Sequence, residues 1–256
     1  MTAVPTADRP AHGAGLPTGS VLMVSGTGTE IGKTVVTSAV AAAALAAGRS
    51  VAVLKPAQTG VGPDEHGDAA EVVRLAGSVT TAELVRYPEP LAPDRAARRA
   101  GLATVSPAEI AGAARSLART HDLVLVEGAG GLLVRFDEEG HTLADAARLL
   151  GAPTLVVATA GLGTLNTTAL TAEALRARGL VGLGVVIGSW PAGPDLAARC
   201  NLADLPSVSD LPLLGAVPER AGALEPAAFR AAAPAWLAPS LHGTWSEPSF
   251  RTLWPA

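Results

Sequence analysis

The chain has 256 residues, of which 48% are hydrophobic and 16% charged, a balance typical of a folded protein with one sizeable core. Its formal net charge of −4 comes without a basic cluster, which argues against nucleic acid or an anionic membrane surface as a main partner. The single cysteine, Cys200, cannot form an internal disulfide, so we expect a cytoplasmic location.

Three regions are expected along the chain. Residues 1–18 are rich in Pro, Ala, Gly and Thr and lack an apolar run, which indicates a loose leader rather than a signal peptide. Residues 19–238 are expected to form a single α/β domain, and residues 239–256 an irregular tail. The apolar stretches fall short of the ~20 residues that a membrane span needs.

Short apolar runs alternate with longer helical patterns. The predicted strands are Val21–Ser25, Val51–Lys55, Leu123–Val126, Thr154–Ala158, Val181–Ile187 and Leu213–Val217. The predicted helices are the one that follows the phosphate loop to about Ala47, then Asp68–Ala76, Pro107–Ala118 and about Thr167–Arg178. Near-continuous Val and Leu runs are typical of parallel strands buried on both faces. We therefore predict a doubly wound, mostly parallel α/β sheet with helices on both faces, like that of P-loop NTPases.

The segment Tyr87–Pro93 interrupts this alternation. It is too rich in proline for a helix or a central strand. A pocket-lining loop and a plain surface connector both fit it.

A glycine-rich motif, Gly-Thr-Gly-Thr-Glu-Ile-Gly-Lys-Thr, occupies residues 26–34 between the first strand and a helix. Glycines let successive backbone N–H groups curl around an anion, and the helix N-terminus adds partial positive charge. The motif predicts a nucleotide site, with Lys33 on the β- and γ-phosphates and the Thr34 hydroxyl on Mg²⁺. The spacing departs from the usual pattern, because Thr27 stands where a glycine is expected and Gly26 precedes it. A plain glycine turn is the alternative.

The cationic residues are strongly biased, with seventeen arginines and only two lysines, Lys33 and Lys55. A lysine kept against this bias indicates a site that needs a compact, rotatable charge, although accident is the alternative. Both lysines follow predicted strands, where α/β proteins bind ligands. Lys55 is therefore predicted to hold a second anionic group beside the γ-phosphate, rather than to be a surface lysine at a strand end.

Two acidic residues stand near these motifs. Glu127 ends an apolar strand and precedes the glycine-rich residues 128–131, which permit close approach to a ligand. A carboxylate at such a strand end is how P-loop enzymes supply a metal ligand, so Glu127 is predicted to bind Mg²⁺. Asp68 opens a helix after a glycine-rich loop, and by itself a simple N-cap is the better interpretation.

Together these motifs resemble the dethiobiotin synthetase family. The resemblance rests on residues 26–34, on Lys-Pro-Ala-Gln-Thr-Gly at 55–60, on Val-Glu-Gly-Ala-Gly-Gly at 126–131 and on Leu-Gly-Thr-Leu-Asn at 162–166. It implies a homodimer that converts 7,8-diaminopelargonate, CO₂ and Mg-ATP into dethiobiotin, ADP and phosphate, with the active site at the subunit interface. The alternatives are an amide-forming synthetase of cofactor assembly and a partitioning or regulatory ATPase. The latter usually carries a loop lysine where this chain has Gly28.

The resemblance also implies a set of site residues. The nucleotide is assigned to Gly28, Thr29, Glu30, Ile31, Gly32, Lys33 and Thr34 and, at a later strand end, to Gly188 and Ser189. Catalysis is assigned to Lys33, Lys55 and Thr29, and Mg²⁺ to Thr34, Asp68 and Glu127. The substrate is assigned to Lys55, Thr59, Glu127 and Gly128, and to Leu165 and Asn166 of the other subunit. Many family members carry an adenine-reading asparagine where this chain has residues 188–191, so we expect other nucleoside triphosphates to be used beside ATP.

Overall fold

The structure, a computed structural model, describes residues 16–256. The predicted leader therefore lies outside the described residues except for residues 16–18. The strands are β1 (Ser20–Gly26), β2 (Val51–Thr59), β3 (Thr80–Tyr87), β4 (Leu123–Gly131), β5 (Thr154–Ala158), β6 (Gly182–Trp190) and β7 (Leu213–Pro218). The α-helices are α1 (Lys33–Ala46), α2 (Asp68–Ala76), α3 (Pro93–Ala100), α4 (Pro107–Ala118), α5 (Leu143–Leu150), α6 (Thr164–Ala177), α7 (Leu196–Ser209), α8 (Pro226–Ala232) and α9 (Glu247–Leu253).

The seven strands form one sheet in the order β3-β2-β4-β1-β5-β6-β7, and every strand pair is parallel. This confirms the predicted doubly wound α/β fold. The carboxyl ends of β2, β4 and β1 lie side by side near the middle of the sheet. In the register of these strands, Val24 is the partner of Glu127 and Leu54 is the partner of Val126. The motifs that follow the three strands are therefore brought to one edge.

Successive side chains of β1 point to opposite faces of the sheet, and helices cover both of these faces. Leu22 and Val24 are buried in the cluster that contains the apolar residues of α1 and α2, whereas Met23 is buried in the cluster with α3, α4 and α5. The alanines at positions 39 and 41–44 of α1 are buried. Their small side chains let α1 pack closely against its neighbours, which fixes the helix whose first residue is Lys33.

One strand and four α-helices within residues 19–238 escape prediction, namely β3, α3, α5, α7 and α8. Strand β3 is an edge strand of half-exposed residues, so it lacks the continuous apolar run that identifies the central strands. Helix α3 begins with Pro93, a residue that suits the first turn, so the proline-rich segment ends where a helix starts. Helix α7 contains Pro206 near its end, and α5 is only eight residues long.

Three strands extend beyond their predicted ends. Strand β2 continues through Pro56 to Thr59. Proline is unusual inside a strand because it has no backbone N–H to donate to a neighbouring strand. The pairing of β2 with β4 ends at Leu54, so beyond that point β2 pairs with β3 alone. Strand β4 continues past Glu127 to Gly131, and β6 continues to Trp190.

The expectation of an irregular tail at residues 239–256 is wrong. This segment contains a short 3₁₀ helix, Pro239–Leu241, and helix α9. Its aromatic residues pack on the end of β6: the rings of Phe250 and Trp254 lie 5.3 Å and 6.1 Å from that of Trp190. Aromatic side chains bury large apolar areas, so a few of them fix a segment that shows no periodic pattern.

Among residues 16–256, no helix is long and apolar enough to cross a membrane. The expected domain limits, 19–238, stay a prediction.

Candidate active site

The loop between β1 and α1 is tightly curled. Lys33 Nζ donates a hydrogen bond to the carbonyl oxygen of Gly28 at 2.9 Å. Glu30 has a left-handed backbone with φ 55, an uncommon conformation for a non-glycine residue that is often found at functional sites. A Cβ on Gly26 would lie 2.5 Å from Ile31 Cδ1. A side chain at position 26 would therefore displace the end of the Ile31 side chain.

The second lysine is buried and contacts two carboxylates, one buried and one partly exposed. Lys55 Nζ donates to Glu127 Oε1 at 2.9 Å and to the carbonyl oxygen of Gly128 at 3.4 Å, and it contacts a carboxylate oxygen of Asp68. The Thr34 hydroxyl donates to the same Glu127 oxygen at 2.9 Å. Lys55 is 4% exposed and Glu127 is 1% exposed. Lys55 of β2 and Glu127 of β4 thus meet the first residues of α1 and α2 at one site.

The two lysines differ in how the site shifts their pKa values. Burial lowers the pKa of Lys55, but the charges of Glu127 and Asp68 outweigh it and leave that pKa raised. Burial lowers the pKa of Lys33, and the positive charge of Lys55 lowers it further. The two ammonium groups are therefore close enough to repel each other, which places them in one electrostatic site.

The residues assigned to Mg²⁺ fit that ion. Thr34, Asp68 and Glu127 offer hydroxyl and carboxylate oxygens, the ligands that Mg²⁺ prefers. Glu127 Oε2 is buried and has no hydrogen-bond partner among the described residues, and such an acceptor is costly unless something pairs with it. Asp68 is the first residue of α2, and Gly67 rather than Asp68 occupies the N-cap position. The simple N-cap interpretation is therefore wrong.

The other assigned side chains make no hydrogen bond to Lys55, Asp68 or Glu127 within the described residues. Thr59 is half-buried at the end of β2. Leu165 and Asn166 lie in the first turn of α6, where Asn166 is exposed and its side chain makes no hydrogen bond to the part of the chain described. Thr29 is exposed in the phosphate loop.

The end of β6 lies directly against the phosphate loop. A Cβ on Gly188 would lie 2.0 Å from the carbonyl oxygen of Ile31. A side chain at position 188, such as that of asparagine, would therefore require a backbone shift. The next residue, Ser189, is exposed, whereas Trp190 is buried.

Two buried polar residues escape prediction. Gln58 lies within the motif at 55–60 and is buried, and its Oε1 accepts a hydrogen bond from the backbone N–H of Asp68 at 2.8 Å. Asn201 on α7 donates to the carbonyl oxygens of Ala160 and Gly161 at 2.7 Å and 3.1 Å, which holds the loop before α6. Gln58 could have been found from the sequence because it lies in the same motif as Lys55, whereas no motif lies near Asn201.

A separate group of possible ligands, Asp137, Glu139 and His141, has donor atoms within 4.8 Å of one another. Both carboxylate oxygens of Asp137 already accept hydrogen bonds from His141, from its backbone N–H at 2.9 Å and its ring Nδ1 at 2.8 Å. These contacts indicate a stabilised turn.

Comparison with known proteins identifies similar chains. The profile of a family described as an AAA domain matches residues 20–227. The ATP-dependent dethiobiotin synthetase BioD of Streptomyces coelicolor is 72% identical over 230 residues, which cover 90% of this chain and 97% of that protein. The protein of the same name from Saccharopolyspora erythraea is 68% identical over 228 residues, which cover 89% of this chain and 100% of that protein. A ParA family ATPase from Chlorobium tepidum has a TM-score of 0.54 at 11% identity, covering 89% of this chain and 96% of that one, which shows the shared fold alone.

The fold and the loop after β1 define a P-loop α/β protein. Within that class, the high identity over nearly the full length of the relatives is decisive. The chain belongs to the ATP-dependent dethiobiotin synthetase family, a family of ATP-dependent ligases.

Proposed function

We propose that this chain catalyses the ATP-dependent carboxylation and ring closure of 7,8-diaminopelargonate with CO₂ to give dethiobiotin, ADP and phosphate. The observation that carries the proposal is the cluster formed by the buried Lys55 and Glu127 with the partly exposed Asp68, beside Lys33 of the phosphate loop. A reaction that joins a phosphoryl group to a carbamate concentrates negative charge at one place. Two lysines and an oxygen-rich metal site are what such a reaction needs.

The chemistry needs no protein nucleophile. One substrate amine attacks CO₂ and loses a proton, which gives a carbamate. A carbamate oxygen then attacks the γ-phosphorus of ATP, ADP leaves, and a carbamic-phosphoric anhydride forms. The second amine attacks the carbonyl carbon of the anhydride and loses a proton, and phosphate leaves as the ureido ring closes.

The residues of the chain orient the reactants and neutralise charge. Lys33 and the backbone N–H groups of the phosphate loop bind the β- and γ-phosphates. Lys55 holds the carbamate beside the γ-phosphate, with its charge maintained by Glu127 and Asp68. Mg²⁺, when bound by Thr34, Asp68 and Glu127, supplies positive charge to the phosphate oxygens.

We also propose that the active protein is a homodimer whose subunits share the active site. Leu165 and Asn166 are assigned to the carboxylate of a substrate bound in the partner. The exposure of Asn166 and the 93% exposure of Leu162 nearby support this, because a segment that reaches into a neighbour must project from its own subunit. The cytoplasmic location stays a prediction.

Phosphate release tests the proposed reaction. Release from Mg-ATP is measured with diaminopelargonate and bicarbonate together and with each omitted in turn. We expect release only when both are present, accompanied by dethiobiotin in the mass spectrum. Release that does not depend on the diamine would instead favour a regulatory ATPase.

The preference for the nucleotide base is expected to be relaxed. The end of β6 presents Gly188 and Ser189, neither of which carries an amide that could pair with adenine. A site without such paired contacts discriminates weakly, so kcat/KM for ATP and for CTP should differ by about tenfold or less. Both values can be measured in the phosphate-release assay. An advantage of ATP that exceeds about a thousandfold would contradict this expectation.

A further inference from the structure

The loop of residues 60–67 connects the end of β2 to Asp68 at the start of α2. It contains three glycines and a proline, and its residues 63–66 are exposed. Such a glycine-rich segment loses much conformational entropy when it is held in one conformation. Because exposed residues supply little apolar packing, polar contacts have to hold the loop that positions Asp68.

Arg86, near the end of the edge strand β3, supplies such contacts. Its Nη1 donates to the carbonyl oxygens of Gly62 and Glu65 at 2.9 Å and 2.7 Å. Its Nε and Nη2 donate to the two carboxylate oxygens of Glu83 at 2.7 Å and 3.0 Å. Four N–H groups of the planar guanidinium are thus used, in a geometry that the compact ammonium of lysine does not match.

The end of the same loop is held from the neighbouring strand. Gln58 and Arg86 are partners in the register of β2 and β3. Gln58 Oε1 accepts from the backbone N–H of Asp68, whose carboxylate contacts Lys55. Two adjacent residues of the sheet therefore hold the loop, one in its middle and one at its end.

We propose that Arg86 is a positioning residue, which holds the loop of residues 60–67 so that the carboxylate of Asp68 stays directed at Lys55 and the Mg²⁺ site. The inference rests on the proposed function, in which Asp68 is a metal ligand. Arg86 acts only through the loop. Its ion pair with Glu83 is partly exposed, and such pairs contribute little by themselves. The two hydrogen bonds to the carbonyl oxygens of Gly62 and Glu65 connect β3 to the loop that carries Asp68.

The test compares Arg86→Met with a matched control, Arg74→Met. Arg74 lines the same groove between α2 and β3. It forms the same kind of ion pair, with Glu71 at 2.7 Å, and donates to the carbonyl oxygen of Gly222, but within the described residues it makes no hydrogen bond to residues 60–67. Both variants lose one partly exposed arginine. Only Arg86→Met loses the contacts to the loop.

Hydrogen exchange of the full chain gives the first measurement. The backbone N–H groups of Gly62, Glu65 and Asp68 are hydrogen-bonded, so the rate at which they exchange with solvent reports how firmly the loop is held. We expect peptides that cover residues 60–68 to exchange about tenfold faster in Arg86→Met, because charge-assisted hydrogen bonds are lost. Arg74→Met should leave these peptides unchanged.

The dependence of phosphate release on Mg²⁺ gives the second measurement. We expect the half-saturating Mg²⁺ concentration to rise about tenfold in Arg86→Met, with a smaller rise in Arg86→Lys and none in Arg74→Met. Unchanged exchange at residues 60–68 would overturn the proposal. Faster exchange with an unchanged Mg²⁺ dependence would also overturn it, since the loop would then be held without consequence for the site. Failure of the proposed function is separate, because the unsubstituted protein would then release no phosphate in response to the diamine.

Discussion

Replacing Lys55 with methionine is expected to lower kcat/KM for the diamine by about 10³-fold, because a preorganised charge at the transferring group is lost. The same change is expected to lower the free energy of unfolding by about 3 kcal/mol. Lys55 is the cation that pairs with the buried carboxylate of Glu127. Its removal leaves that carboxylate uncompensated at 1% exposure. Phosphate release and urea unfolding provide the two measurements.

Two further variants sharpen the test of Lys55. Lys55→Arg keeps the charge but replaces a compact ammonium with a larger planar group, so we expect it to stay nearly as inactive as Lys55→Met. Arg49→Met removes a partly exposed cation that lies 3.9 Å from Asp122, and we expect little loss of activity. Wild-type turnover by Lys55→Met would remove this lysine from the mechanism.

The central strands could be predicted because both of their faces are buried. Such strands are continuous runs of Val and Leu, as in Leu123–Val126 and Thr154–Ala158. Strand β3 could not be predicted in this way, since at the edge of the sheet polar residues such as Glu83 and Arg86 face partly into solvent. The aromatic packing of the tail on Trp190 depends on contacts between distant residues and leaves no local pattern.

The residues of the site likewise include some whose meeting the sequence predicts and one, Asp68, whose position it does not. Lys33 and Thr34 open α1 directly after the phosphate loop, and Lys55 and Glu127 lie in the neighbouring strands β2 and β4. Because the order of these strands follows from the fold, the meeting of the four residues could be expected from the motifs alone. The approach of Asp68 depends on the path of the loop at residues 60–67. That path is set by the partners of the loop on β2 and β3, not by the residues within it. The roles of the site residues in binding and catalysis remain predictions.

Replacing Lys33 with methionine is expected to lower kcat/KM for ATP by about 10³-fold without the loss of stability expected for Lys55→Met. Lys33 would contact the phosphates, whose charge it neutralises in the transition state. Its pKa is lowered in the fold, chiefly by burial and then by the charge of Lys55. The folded protein therefore binds this proton less tightly than the unfolded chain, and at neutral pH the charge of Lys33 opposes folding.

The contrast between the two lysines is the decisive measurement. Lys33→Met removes a charge that the fold disfavours, whereas Lys55→Met removes one that the fold requires. We therefore expect urea midpoints that are unchanged or higher for Lys33→Met and lower for Lys55→Met, with activity lost in both. A destabilised Lys33→Met variant that retains turnover would show that this lysine supports the loop and does not act on the phosphates. Equal losses of stability in the two variants would contradict the opposite pKa shifts, because the direction of each shift fixes the sign of its contribution to folding at neutral pH.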